Sequence, residues 1–227
     1  MSMQYRREPM PMRSQRGRAG FTLIELLIVI GIISGLMVWI VPTLLGASQE
    51  TAKIKETQVL LHELASRAES YANQRRFGDY PPDNFRDPAR KLLVVADSIN
   101  PGIESLVAFL SREDSKDEDL SRLQEKFSNT DNDKSDAPIG RLDRPDKLEI
   151  VDAWGNPIVY FTRRSYRQEP QTYRNQYGED FSVSAWKRKD GSFFNNRHFQ
   201  LFSAGPDEKY GTPDDIGHNF VPEEQGD

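Results

Sequence analysis

The stretch Gly20-Phe21-Thr22-Leu23-Ile24-Glu25-Leu26-Leu27-Ile28-Val29-Ile30 opens an apolar run that lasts to Ala47, with Glu25 its only strongly polar residue. At roughly 1.5 Å per helical residue, about 20 apolar residues cross a hydrocarbon core of about 30 Å, so residues 21–47 are expected to form a transmembrane helix. Ahead of it lies a basic leader, residues 1–20, with Arg6, Arg7, Arg13, Arg16 and Arg18 against Glu8. A secretory signal peptide places its cleavage site after the apolar core. Here the candidate site, Gly20, comes before it, so cleavage would leave the helix in the mature chain. The positive-inside tendency puts the leader in the cytoplasm and everything beyond about residue 48 across the membrane.

The leader's charge of about +4 leaves about −9 on the remainder of a chain whose formal total is −5. An acidic body of this kind argues against nucleic acid as a partner. The 227 residues suit one globular domain with appended segments. There is no cysteine, hence no disulfide, zinc–thiolate cluster or thiol nucleophile. His62, His198 and His218 lack metal-site spacing, and the nucleophile-elbow, Walker and H-E-x-x-H patterns do not occur, so nothing points to an enzyme.

Residues 48–78 grow polar, yet Ile54, Leu61, Leu64, Ala68 and Tyr71 recur at three- and four-residue intervals, one face of an amphipathic continuation of the helix. Pro42 predicts a bend or a melted turn near residues 38–42, and Gly78, Pro81 and Pro82 predict the helix end. Residues 79–147 read as a variable insertion. Asn100-Pro101 resembles an N-cap and first turn, leading a short helix through Ile103, Leu106, Val107 and Leu110, while Leu120, Leu123 and Phe127 suggest another. Residues 129–147 read as a mobile loop. Asp131-x-Asp133-x-Ser135 begins like an EF-hand loop, but Asp136 stands at the required glycine and Leu142 at the bidentate glutamate, so an EF-hand is excluded. Across residues 148–227 the period changes. Ile158–Thr162, Phe181–Lys187 and His198–Ser203 are strand-like, with Asp190-Gly191 as a hairpin turn between the last two. The expected fold class is α+β, a long N-terminal helix packed on a small antiparallel sheet.

Glu25 needs a partner, because a carboxylate in a membrane segment costs about 2.5–3.5 kcal/mol on insertion scales. Cleavage after Gly20 would free the amine of Phe21, and the amine of a neighbouring subunit could pair with Glu25. The whole Gly20–Ile30 string, after a basic leader and before a proline-bearing apolar helix, closely resembles the class III signal of type IV pilins and type II secretion pseudopilins. That resemblance implies cutting by a prepilin peptidase between Gly20 and Phe21, methylation of Phe21, and an assembly role for Glu25 in subunit registration. It also implies a pilin-like fold, in agreement with the elements above. Gly31 and Gly35 fit a G-x-x-x-G helix-packing pattern.

Asp152-Ala153-Trp154-Gly155-Asn156-Pro157-Ile158-Val159-Tyr160 is similar to the D-x-W-G-x-P segment of major, G-type pseudopilins. Ser203-Ala204-Gly205-Pro206-Asp207-Glu208-Lys209-Tyr210-Gly211-Thr212-Pro213-Asp214-Asp215-Ile216 resembles the calcium loop of the same proteins. Three carboxylates in a bent loop suit a hard cation that takes six to eight oxygens, so Asp207, Asp214 and Asp215 are the candidate calcium ligands. Glu208 departs from the family, which has glycine there. The insertion is longer than in the major subunits.

By resemblance, the expected function is a structural subunit of a type II secretion pseudopilus in the bacterial inner membrane, with its C-terminal domain in the periplasm. Its partners would be membrane lipid, copies of itself in a homopolymer filament, the prepilin peptidase, the inner-membrane assembly platform and minor pseudopilins. A type IV pilus pilin or minor pilin for adhesion, motility or DNA uptake is the nearest alternative. A membrane-tethered enzyme or binding domain would instead predict no processing after Gly20 and a pocket of convergent polar groups.

Overall fold

A computed structural model describes residues 21–74, 78–85, 99–111, 120–135 and 145–222, without the side chains of 39–47, 120 and 121. The architecture is α+β: an N-terminal helix followed by a domain of short antiparallel sheets, as in pilin-like folds. The leader and Gly20 lie outside the described residues. The chain divides into two compact units, residues 1–47 and 48–227. The helix α1 spans Leu23–Gln74. It is continuous across Pro42, so the melted turn expected there does not form. A proline removes one amide donor, and neighbouring turns can carry a helix past that loss.

Within the second unit, α1 buries the face that its periodicity predicts. Leu60, Leu61, Leu64, Ala65, Ala68 and Tyr71 belong to the main apolar core, and Ile54 packs against it half-buried. Helix α2, Pro101–Leu110, is buried from Gly102 to its end and meets α1 through an edge-to-face pair of Tyr71 and Phe109 at 6.2 Å. Strands β3 (Val159–Thr162) and β6 (Phe199–Ser203) are buried along their whole length and pair antiparallel, Val159 opposite Phe202 and Thr162 opposite Phe199. The short β7, Ile216–Gly217, pairs with the other edge of β6. Two further pairs complete the domain, β1 (Phe127–Ser128) with β2 (Glu149–Ile150) and β4 (Gln171–Arg174) with β5 (Asp180–Val183). The close approach of α2 to β3 depends on Gly102, where an added Cβ would lie 2.1 Å from the Tyr160 carbonyl oxygen.

Four further expectations need correction. Asn100 is no side-chain N-cap. It adopts a left-handed conformation, φ 48°, and turns its amide to Thr130 Oγ1 at 3.0 Å and Glu149 Oε1 at 2.9 Å, while its own Oδ1 accepts from the Arg174 amide. The Asp190-Gly191 turn forms, with the Arg188 amide donating to the Ser192 carbonyl and Lys187 bridging Phe193 antiparallel, but it does not join β5 to β6. The partner of β5 is β4, and those of β6 are β3 and β7, so the strands do not form a simple meander. The segment from Leu120 to Lys126 is a 3₁₀ helix, and Phe127 starts a strand. Residues 129–135, expected to be mobile, are held by their own bonds: Asn129 donates to the Asp133 carbonyl, and Ser135 pairs with the Pro145 carbonyl.

The segment after α1 is fixed from the side chains outward. Buried Asp83 accepts from the Thr162 amide at 2.7 Å, the Thr162 hydroxyl and the Ser165 hydroxyl, and Tyr160 donates to the Pro81 carbonyl at 2.7 Å.

Leu64, fully buried, and Val59, 68% exposed, lie on opposite faces of α1. In urea denaturation of the detergent-solubilised full chain, Leu64→Ala is expected to lose about 2–5 kcal/mol and Val59→Ala within about 0.5 kcal/mol. Equal losses would show that this helix face does not pack as described.

Candidate functional site

Two regions carry the sequence motifs, one in each unit. At the start of α1, Thr22 and Glu25 form a capping box. The Thr22 amide and hydroxyl donate to Glu25 Oε2 at 2.9 and 2.8 Å, and the Glu25 amide donates back to Thr22 Oγ1 at 3.3 Å. The T-x-x-E spacing is the sequence signature of this device, which satisfies amide donors that the first helical turn leaves without partners. Glu25 thus has a local role that reasoning about subunit pairing overlooked. Phe21 is 84% exposed, and the large apolar side chains from Leu23 to Val38 are exposed as well. Among the described residues no helix is long and apolar enough to cross a membrane, and the side chains of 39–47, the last part of the expected span, lie outside them.

In the second unit, residues distant in sequence meet. Asp152 is 2% exposed; its Oδ1 accepts from the amides of Trp154 and Asn156, both at 2.9 Å, and its Oδ2 accepts from the Ser203 hydroxyl at 2.6 Å. Burial pushes this carboxyl up from its ordinary range, and the three donors oppose that shift. The same turn contacts α1, since the Ala153 amide donates to Thr57 Oγ1 and the Lys53 ammonium stands 5.6 Å from the centre of the Trp154 ring. Tyr210 closes the contact from the C-terminal loop, its hydroxyl donating to the Pro157 carbonyl at 2.7 Å.

The loop from Ser203 to Ile216 is tightly bent. Gly205 has φ +69°, and a Cβ there would fall 2.2 Å from the Asp214 carbonyl oxygen. Glu208, at the position where the resembled family has glycine, adopts φ 59°. Its carboxylate collects the amide groups of Asn156 and Gln176 and the Tyr177 hydroxyl, which hold it in this conformation.

The three candidate ligands are disposed differently. Asp207 accepts from the Lys209 amide, and Asp214 accepts from the Asp207 amide and the Thr212 hydroxyl. Asp215 is 4% exposed; its Oδ2 accepts from Trp186 Nε1 and the Gly211 amide, both at 3.0 Å, while its buried Oδ1 has no hydrogen-bond partner. Burial, the largest effect, pushes the Asp215 carboxyl up to about 8. That orphaned oxygen fits a cation ligand, but the carboxylates of Asp207, Asp214 and Asp215 do not gather into one group. Among the described residues, the carboxylates that converge are those of Glu104, Asp131 and Glu149.

Comparison with known proteins bears on the first region. Residues 15–40 match the prokaryotic N-terminal methylation motif, a prepilin signal of the type IV pilin-like kind. Such a motif implies processing by a prepilin peptidase and polymerisation into a filament. It is typical of inner-membrane-anchored pilins, and the family it marks is structural. No curated protein and no solved structure matches the chain.

If Asp152 and Gly205 join the two motif segments as described, Asp152→Ala and Gly205→Ala each lower unfolding stability by about 2 kcal/mol or more, through unsatisfied buried donors and backbone strain respectively. Urea titration of the full chain in detergent checks this, and changes within about 0.5 kcal/mol would contradict it.

Proposed function

We propose that this chain is a pseudopilus subunit of a type II secretion system, anchored in the inner membrane by residues 21–47 and polymerised to drive protein export. The observation that carries the reading is the meeting of two segments that resemble the G-type pseudopilins. The Asp152–Pro157 turn and the Ser203–Ile216 loop are bonded through Ser203, Glu208 and Tyr210. In this reading the exposed apolar side chains of Leu23 to Val38 are covered by lipid before assembly and by neighbouring subunits afterwards. Cleavage after Gly20 exposes the amine of Phe21. The two bonds that Glu25 accepts from Thr22 both fall on Oε2, and Oε1 is the atom we assign to the amine of an adjacent subunit. Calcium would enter the C-terminal loop through Asp215, with Asp207 and Asp214 following once they leave the loop's own donors.

Intact-mass measurement on protein from the native host is expected to give a mature chain beginning at Phe21 with a methylated amine. Glu25→Leu should be cleaved and membrane-resident yet assemble few filaments. Deleting the gene should abolish export of secreted proteins while surface pili persist. Retention of Arg18 to Gly20 in the mature chain would remove the filament reading. Lost pili with intact export would replace secretion by a pilus role.

A further inference from the structure

The most unusual charge arrangement lies away from both motif regions. One carboxylate oxygen each from Glu104 in the first turn of α2, Asp131 in the loop after β1, and Glu149 in β2 lie within 4.8 Å of one another. Oxygens on opposite sides of an ion at about 2.4 Å are about 4.8 Å apart, so this spacing accommodates one calcium-sized cation. Glu104 is 2% exposed, and neither of its carboxylate oxygens has a hydrogen-bond partner. A buried carboxylate in that condition is strongly disfavoured unless a proton or a cation compensates it.

The surroundings are built rather than accidental. Glu149 is held in place by the Thr130 amide, the Thr130 hydroxyl and Asn100 Nδ2. Asn100 in turn ties this corner to β4 through the Arg174 amide and the Thr172 carbonyl. Asp133 stands beside the group and is paired to buried Lys147 at 2.5 Å. With Glu104 ionised, as cation binding requires, four carboxylates face one ammonium, an excess of about three negative charges that a divalent ion reduces to about one. Burial first, and then Asp133, Asp131 and Glu149, push the Glu104 carboxyl up to about 11.

We infer that Glu104, Asp131 and Glu149 form a divalent-cation site of calcium type, separate from the 203–216 loop, which staples α2 to the β1–β2 pair and orders the inserted segment. The all-oxygen donor set selects a hard cation, and irregular carboxylate placement suits calcium better than magnesium, which demands near-octahedral geometry. Asp131 thus serves a cation without an EF-hand, because Glu104 and Glu149 supply from two other elements the carboxylates that the loop itself lacks.

The test is calcium titration of the metal-stripped full chain in detergent, by calorimetry and thermal melting, with magnesium in a parallel arm. Asp207→Ala/Asp214→Ala, in which the C-terminal loop is disabled, should still bind calcium and gain melting temperature from it. Glu104→Gln in that background should weaken calcium binding by about tenfold or more. In chelator, Glu104→Gln should melt no lower than its parent, because without a cation the buried carboxyl holds a proton and the amide replaces it as a neutral group of the same size. Asp131→Asn, on the half-buried loop, provides the same affinity test if Glu104→Gln does not fold. Absence of calcium binding in the loop-disabled parent would overturn the inference. So would unchanged affinity in the Glu104 or Asp131 variant, or stabilisation by acid with indifference to calcium, the behaviour of a cluster bridged by a proton. Loss of calcium response at the C-terminal loop alone, read as equal binding by wild type and the loop double variant, would count against that loop's calcium and leave this site standing.

Discussion

The hydrogen bonds to the Asp152 carboxylate hold together what the rest of the second unit depends on. A charge with so little access to water persists only if its oxygens are satisfied, and here the donors come from its own turn and from Ser203 at the end of β6. The turn fixes where the chain enters β3, and Ser203 fixes where it leaves β6. Those are the two strands that pair antiparallel along the core, so one carboxylate fixes both chains at one end of the central ladder, where Val159 lies opposite Phe202. The same turn reaches α1 through Thr57, which places the amphipathic half of the helix against the sheet domain by a directional bond as well as by apolar packing.

What could be read in the sequence follows from range. The buried face of α1 was legible because helical periodicity is local, and β3 and β6 were legible because buried strands are rich in branched and aromatic residues. Strand β4, Gln171-Thr172-Tyr173-Arg174, was not, since only Tyr173 in it is fully buried and Gln171 and Arg174 on either side leave Thr172 and Tyr173 too short a run. Pairing order was not legible either. A compact turn at Asp190-Gly191 looks the same whether or not the strands around it are partners, and only the long-range fit of β6 between β3 and β7 decides. Asn100 was misread for a related reason. Asn before Pro at a helix start suggests a cap, but the left-handed backbone turns the side chain away from the helix and towards Glu149.

The insertion shows the same limit at the level of chemistry. The polar composition of residues 129–147 suggested a mobile loop, yet buried Lys147 holds Asp133 there, and Asp83 clamps the insertion's beginning onto β3. Glu104 reads as one more acidic residue in a first helical turn, where the helix dipole favours negative charge. Only folding reveals that it is buried beside two other carboxylates drawn from separate elements. The C-terminal loop shows the converse. Asp207, Asp214 and Asp215 are close in sequence and look like one ligand set, but proximity along a chain does not make side chains converge, and each of the three accepts from the loop's own donors.

Glu25 ties the motif to physical chemistry at the other end of the chain. Its carboxylate answers two demands that arise at different times. In a lone subunit the first turn of α1 has amides without partners, and the Thr22–Glu25 box satisfies the Thr22 and Glu25 amides. A cap of this kind contributes about 0.5–2 kcal/mol, too little to offset the full burial of a carboxylate in hydrocarbon. The box therefore stabilises the helix start without removing the electrostatic demand for a cation. In the proposed filament that cation is an amine created only by cleavage. Before processing, Phe21 is joined to Gly20 by a neutral peptide bond and offers Glu25 no charge. On this reading, the cut after Gly20 does more than remove a basic leader, because it generates the counter-charge that permits Glu25 to enter an apolar filament core.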